Sequence, residues 1–395
     1  MPPNPTPDTY TGTPGQTLLA GRASNPVVAS VANAGTVAML AKDWSASGFQ
    51  LLTTIPDGLL LVNLPGHSGS AWDDARQSMW VYGSETHGSA QMDNAVYRWD
   101  AETGLCHRIY NRDPATGDHH IRADGLMFAD AGETRPWAAH TFRNLWYDAT
   151  TKELGVCMNT EEHAYATAWS PLPAGSGYLA SRKLPIWYFN TLNATWRYTL
   201  TDATNAFCAP ELGAGLVRVP GNGWWRVAGS NLTHLSEDAG TVTNFSIYGK
   251  LTNVLIQSVP HVVAGDKLVV IGGTGSSAHL GYVCDLANPA GGDHHMLPLS
   301  LFPALAGWTV ENMWSVKMGD GRILFGAYQG SPQQVGAFIF NWNGGSPTVT
   351  DTGHRLAASG GSSYYELRAE WSAKYNCAFL MSVRHGGNKM IGVRV

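Results

Sequence analysis

The chain is poor in charge, and that shortage closes off several functions at once. Only 14% of its 395 residues are Asp, Glu, Lys or Arg, no run of Lys or Arg occurs, and the formal net charge is −5. A basic stripe to neutralise phosphates is missing, so nucleic acid is not an expected partner. Long apolar runs are also missing, and no segment approaches the length of a membrane span. The opening MPPNPTPDTYTGTPGQ lacks the basic start and apolar stretch of a secretion signal. It reads instead as an extended arm over residues 1–25, expected to pack against its own domain or against another protein chain. The Ala/Glu/Lys/Leu mixture of helical proteins is thin, and no long amphipathic helix stands out. Cysteine is scarce and odd in number: Cys106, Cys157, Cys208, Cys284 and Cys377 lie far apart, in or beside apolar strands. That spacing favours buried free thiols over a disulfide framework.

What is abundant points to strands and turns. There are 45 Gly, 21 Pro and 15 Trp, and one phrase returns six times: apolar strand, loop rich in Gly, His or Trp, aromatic strand, Asp/Asn/Gly turn, return strand. The clearest hairpins are NAVYRWDAETGLCHRI (94–109), LPIWYFNTLNATWRYTL (184–200), LGYVCDLANPAGGDHHML (280–297) and VGAFIFNWNGGSPTVTD (335–351). A hairpin-built repeat of roughly fifty to sixty residues predicts an all-β fold, a β-propeller whose every copy is one four-stranded blade. Six blades are legible, and a seventh drawn from residues 26–66 is the alternative; residues 26–395 form one propeller domain. The last strand, from Lys389, lacks a return partner, so an N-terminal strand at 35–40 or 49–54 is expected to close the last blade.

Inner strands are expected at 78–82, 153–158, 215–219, 267–271, 322–326 and 378–383, the first two preceded by the turns Asp73-Asp74-Ala75-Arg76 and Asp148-Ala149-Thr150-Thr151. Residues 111–133 read as an elaborated loop. The loops after the inner strands carry His87, His163, the Trp224-Trp225-Arg226 run, His279, Tyr328-Gln329 and His385, and the propeller pattern predicts that they share one face. Entry loops add Arg135, His140, Arg143, Glu311, Trp314, Tyr364, Tyr365 and Arg368 to that face.

Three readings of such a face stand side by side. His, Arg, Trp and Tyr with few carboxylates suit a polyhydroxylated, acidic ligand, because aromatic rings stack on sugars while cations pair with carboxylate or sulfate. Glycan is therefore an expected partner. Convergent imidazoles at His87, His163, His279 and His385 suit a divalent metal, although no short HxH or HxxxH spacing supports one. Alternatively, the histidines only brace loops by bonding to backbone.

The stretch AWDDARQSMWVYGSETHGSAQMDNAVYRWDAETG (71–104) and the phrase RPWAAHTFRNLWYD (135–148) resemble a kelch-like bacterial and phage propeller group that includes the ulvan lyases. The likeness covers at most about a quarter of the chain. It implies polysaccharide β-elimination, with His140 as base and His163 as its partner. Phe207 falls where the group's tyrosine is expected, Ala139 replaces an arginine, and Arg218 and Arg226 are approximate positions for the charge-neutralising arginine. The group's extracellular members, taken with the lack of a secretion signal and the N-terminal arm, lead to the expectation of an extracellular or virion-associated protein, part of a larger assembly such as a phage tail or adsorption protein. A decoration protein without ligand, whose histidines serve only the fold, is the third alternative.

Remaining motifs reduce to structure. His119-His120 and His294-His295 follow Gly-Asp turns and read as exposed hairpin residues. Gly272-Gly273-Thr274-Gly275 lacks the helix and lysine of a phosphate loop. Asn193, Asn231 and Asn244 begin glycosylation-type triplets, expected to be chance. Trp187, Trp196, Trp342 and Trp371 are expected to fill gaps between blades.

Overall fold

The computed structural model describes residues 48–54, 68–85, 92–104, 106–110, 120–123, 125–136, 141, 143–157, 183–208, 215–228, 231–246, 259–263, 266–272, 278–291, 294–310, 313–357, 368–382 and 389–395. They form an all-β protein of six four-stranded antiparallel blades in a propeller arrangement. Strand β1 (Gly48–Thr54) comes first. Blade 1 runs β2 (Gly69–Asp73), β3 (Ser78–Glu85), β4 (Met92–Asp100) and β5 (Cys106–Tyr110). A ribbon of β6 (His120–Ile121) and β7 (Met127–Phe128) leads to blade 2: β8 (Leu145–Asp148), β9 (Glu153–Cys157), β10 (Ile186–Asn190) and β11 (Thr195–Thr199). Helix α1 (Asp202–Phe207) follows. Blade 3 is β12 (Gly215–Val219), β13 (Gly223–Ala228), β14 (Asn231–Leu235) and β15 (Val242–Ser246), and blade 4 is β16 (Val259–Val263), β17 (Lys267–Ile271), β18 (His279–Asp285) and β19 (His295–Pro298). Blade 5 comprises β20 (Ser315–Lys317), β21 (Ile323–Gly330), β22 (Gln333–Asn341) and β23 (Thr348–Ala357). Blade 6 has β24 (Arg368–Ser372), β25 (Cys377–Ser382) and β26 (Lys389–Arg394), and β1 adds beside β26 as its fourth strand. The expected N-terminal closing strand is thus residues 48–54. No helix among the described residues is long and apolar enough to cross a membrane.

A polar residue at the end of a strand writes most of the tight turns. Asp73 Oδ1 accepts from the N–H groups of Ala75 and Arg76, Asp100 Oδ1 from Glu102 and Thr103, Asp148 Oδ1 from Thr150 and Thr151, and Asn190 Oδ1 from Leu192 and Asn193. Such side-chain mimicry of a backbone turn is what Asp and Asn do best. The fifth residue then takes positive φ to return the chain: Gln77 at 51°, Gly104 at 71°, Lys152 at 59° and Ala194 at 56°. Only Gly104 does so without steric cost.

Two units are distinguished, Met1–Lys42 with Thr53–Pro210, and Asp43–Leu52 with Glu211–Val395. The first holds blades 1 and 2. Trp80, Tyr82, Val96 and Tyr110 of one pack against Val156, Trp187 and Phe189 of the other, with Trp196 and Tyr198 partly buried alongside. Ring centroids of Tyr82 and Trp196 are 5.0 Å apart, and those of Trp187 and Tyr198 4.9 Å. Burial of each large side chain here contributes about 2–3 kcal/mol. A polar pin crosses the same seam: Arg76 Nη1 donates to Asp73 Oδ2 at 2.6 Å and to Tyr147 Oη at 2.9 Å.

In the second unit, blades 3 and 4 meet through Trp225, Val227, Val270 and Tyr282. Blades 4 and 5 meet through Val269, Ile271, Phe325 and Phe338, and blades 5 and 6 through Trp314, Leu324, Ala369 and Leu380. Trp342 and Trp371 sit at the edges of these last two seams, as gap fillers should. One device recurs in both units. The indole of Trp146 lies on Gly155 across the β8–β9 pair, and that of Trp314 lies on Gly326, leaving no room for a Cβ at either glycine.

Several expectations are corrected. The segments taken as inner strands are the second strands of their blades in five copies; only 215–219 is a first strand. Among the described residues there is no seventh blade, since β1 belongs to blade 6. Cys157 and Cys208 are joined in a disulfide, with Cα atoms 5.6 Å apart, whereas Cys106, Cys284 and Cys377 are buried free thiols as expected. His294 is buried rather than exposed: its Nδ1 accepts from Asp285 N, and Nε2 lies 3.0 Å from Pro289 O, bracing the turn between β18 and β19. His295 stacks on Trp342 of the next blade at 5.6 Å. The arm at 1–25 and the strand candidate at 35–40 lie outside the described residues.

Candidate functional site

In an antiparallel four-stranded blade, the start of the first strand, the second-to-third loop and the end of the fourth strand share one end. Of the candidates expected at that end, His87, His140, His163, Glu311, Tyr364, Tyr365 and His385 lie outside the described residues. The rest can be placed within each unit.

In the first unit this end is built from hydrogen bonds. Thr141 Oγ1 accepts from Gly69 N at 2.6 Å and donates to Tyr82 O at 2.8 Å, tying the approach to blade 2 onto blade 1. Asn94 Nδ2 donates to Pro136 O at 3.1 Å. Between these anchors, Asp130 closes a loop by accepting from Thr134 N, Thr134 Oγ1 and Arg135 N. Its carboxylate is 3.7 Å from the Arg135 guanidinium. Partial burial holds Arg135 below the usual arginine pKa. Arg135 and Arg143, which stands two residues ahead of β8, are both half-buried.

The second unit places its candidates at two different ends. His279 opens β18, half-exposed, at the second-to-third end of blade 4. On blade 5 the same end carries Tyr328, Gln329 and Gln334, the two glutamines joined by Gln334 Nε2 donating to Gln329 Oε1 at 2.7 Å. Arg355, near the same end of β23, lies 4.7 Å over the ring of Trp308 and donates to Asp351. That bond holds the Asp351 carboxyl below its ordinary pKa. Beneath these groups, His261 Nε2 and Ser315 Oγ are 2.8 Å apart, bridging the first strands of blades 4 and 5. Trp314, just ahead of β20, and Arg368, the first residue of β24, are both buried.

Trp224, Trp225 and Arg226 prove to be strand residues of β13, not a loop. Trp224 and Trp225 sit next to the 220–222 turn, at the opposite end of the blade from a second-to-third loop. Trp225 stacks on His234 at 4.3 Å and on Phe245 at 6.0 Å, Arg218 lies over Trp224 at 5.5 Å, and Arg226 is only 3% exposed. Among the described residues no group of three or more His, Cys, Asp or Glu is placed to hold a metal ion. Sequence reasoning missed Trp308, Gln334 and Arg355. Arg355 had one signal, its position four residues after Asp351 around a Gly-His turn.

No family model matches the sequence, and no curated protein matches it. Similar solved structures include TolB from Acinetobacter baumannii, 11% identical with a TM-score of 0.38, covering 71% of this chain and 56% of that one. A GH43 β-1,3-galactosidase is 12% identical with a TM-score of 0.41, covering 78% and 63%. A fungal alcohol oxidase of the AA5 family, in complex with copper, is 14% identical with a TM-score of 0.41, covering 83% and 73%. The chain spans just over half of TolB and less than two thirds of the galactosidase. Identities this low bear on neither ligand nor activity.

Proposed function

We propose that the protein is a carbohydrate-recognising β-propeller, of the kelch-like kind suggested by residues 71–104 and 135–148. The observation that carries this reading is the second-to-third end of blades 4 and 5. It presents His279, Tyr328, Gln329 and Gln334, half-exposed groups that donate and accept hydrogen bonds without a carboxylate among them. Imidazole, phenol and amide at one edge match the dense hydroxyls of a glycan. Glycan-array binding tests it directly. His279→Ala and Gln334→Ala are expected to weaken binding at least tenfold while leaving the melting temperature unchanged. An array without a binder, or variants that bind normally, would remove the reading.

The lyase alternative requires His140 and His163, and its other positions do not support it. Phe207 is fully buried and has no acidic proton, Arg218 is paired with Glu237 at 2.6 Å, and Arg226 is buried. Unsaturated-uronate absorbance on a panel of acidic polysaccharides would show catalysis if it occurs. An extracellular or virion-associated setting, in a larger assembly such as a phage tail, is part of the same proposal. The Cys157–Cys208 bond supports it, because disulfides persist in oxidising surroundings.

A further inference from the structure

Helix α1 is a short element joined to blade 2 by one covalent bond. It spans six residues, far below the length at which a helix is stable alone. Its non-covalent ties include a capping box between Thr201 and Thr204, the Thr204 hydroxyl donating to Thr199 O at 3.3 Å, the Asn205 side chain accepting from Leu184 N at 2.8 Å, and the buried Ala203 and Phe207. Cys208, the residue at its C-cap, is then bonded to Cys157 at the end of β9, closing a sequence separation of 51 residues that contains the whole β10–β11 hairpin. Both sulfur-bearing residues are only 1% exposed.

We propose that Cys157–Cys208 is a redox-controlled clip: its reduction releases α1 from blade 2 and leaves the β-sheets standing. Formation follows ordinary exchange. One cysteine thiolate attacks a low-molecular-weight disulfide of the glutathione class and expels a thiolate. The second cysteine thiolate then attacks that mixed disulfide and expels the other. Two protein thiols thus give up two protons and two electrons, and the external disulfide leaves as two thiols. Because the finished bond is buried, exchange precedes docking of α1, and a reductant reaches the bond only through opening of that helix. The three other cysteines do not compete. Each is buried, and burial pushes the thiols of Cys106, Cys284 and Cys377 up to about 12, so little nucleophilic thiolate exists at neutral pH.

The test uses the full chain with and without a phosphine reductant, beside a Cys157→Ala/Cys208→Ala double variant. Unreduced protein, once denatured, is expected to titrate three thiols, and five after reduction. Reduction is expected to lower Tm by about 5 °C and to raise chymotryptic cleavage after Phe207 at least tenfold, with the β-sheet circular dichroism preserved. The double variant should match the reduced protein and ignore the reductant. Five thiols in the unreduced protein, an unchanged cleavage rate at Phe207, or loss of the sheet signal on reduction would each overturn the proposal.

Discussion

The guanidinium of Arg76, in the first turn of blade 1, donates to the phenol oxygen of Tyr147 in the first strand of blade 2, at 2.9 Å. The same nitrogen pairs with Asp73, whose side chain is fully buried. A charge hidden in this way needs its counter-charge, and the two blades are pinned together by satisfying it.

Removing the cation should therefore cost more than one hydrogen bond. Arg76→Ala is expected to destabilise the protein by about 3 kcal/mol, because it leaves the Asp73 carboxylate buried and half-satisfied. Tyr147→Phe should cost only about 1 kcal/mol. Urea unfolding of both variants and their double measures the difference, and equal losses would show that the charge is not what matters.

Tyr147 also sets an alkaline limit. Burial, with the Asp73 carboxylate adding to it, pushes its phenol up to about 12. An unfolded tyrosine ionises near 10. A group whose pKa is raised by folding contributes stability that is complete below the unfolded value and lost as pH climbs toward the folded one. Stability should fall between about pH 10 and 12, and Tyr147→Phe should flatten that decline in a melting-temperature series.

The indoles lying on glycine give a steric prediction. Gly155→Ala places a methyl inside the ring of Trp146, and Gly326→Ala places one against Trp314 and the terminal methyl of Met313. Each is expected to cost about 2–3 kcal/mol. Near-ultraviolet circular dichroism should change with the displaced tryptophan, and wild-type stability in both variants would refute the packing.

Stabilisation is available at the turns. Lys152 holds φ at 59° and projects from an exposed hairpin. Lys152→Gly relieves that conformation and should raise stability by about 0.5–1 kcal/mol, read as a higher urea midpoint.

The fold was legible where a single residue type does a single local job. Asp73 and Asp148 announced their turns, and the hairpins at 94–109 and 184–200 read correctly because aromatic alternation has the period of a strand. The third copy misled. An antiparallel meander shifted by one strand keeps its alternation of apolar and polar residues while moving every loop to the opposite end, so Gly221-Asn222-Gly223 passed for a second-to-third loop. Trp224, Trp225 and Arg226 went astray with it. The Cys157–Cys208 pairing was invisible for a related reason: no local spacing reports a closure made by α1 folding back onto β9. Gln334 and Trp308 were missed because amides and single aromatics carry no motif; only their placement beside Gln329 and Arg355 marks them.

The partnership of β1 with β26 imposes an order on biosynthesis. A ribosome adding roughly 5–20 residues per second needs on the order of half a minute to travel from one strand to the other. Throughout that interval residues 48–54 wait as an open edge, exposed to any passing strand. The sixth blade is consequently the last to be finished and the one that a nascent neighbour, or a chaperone, is best placed to intercept.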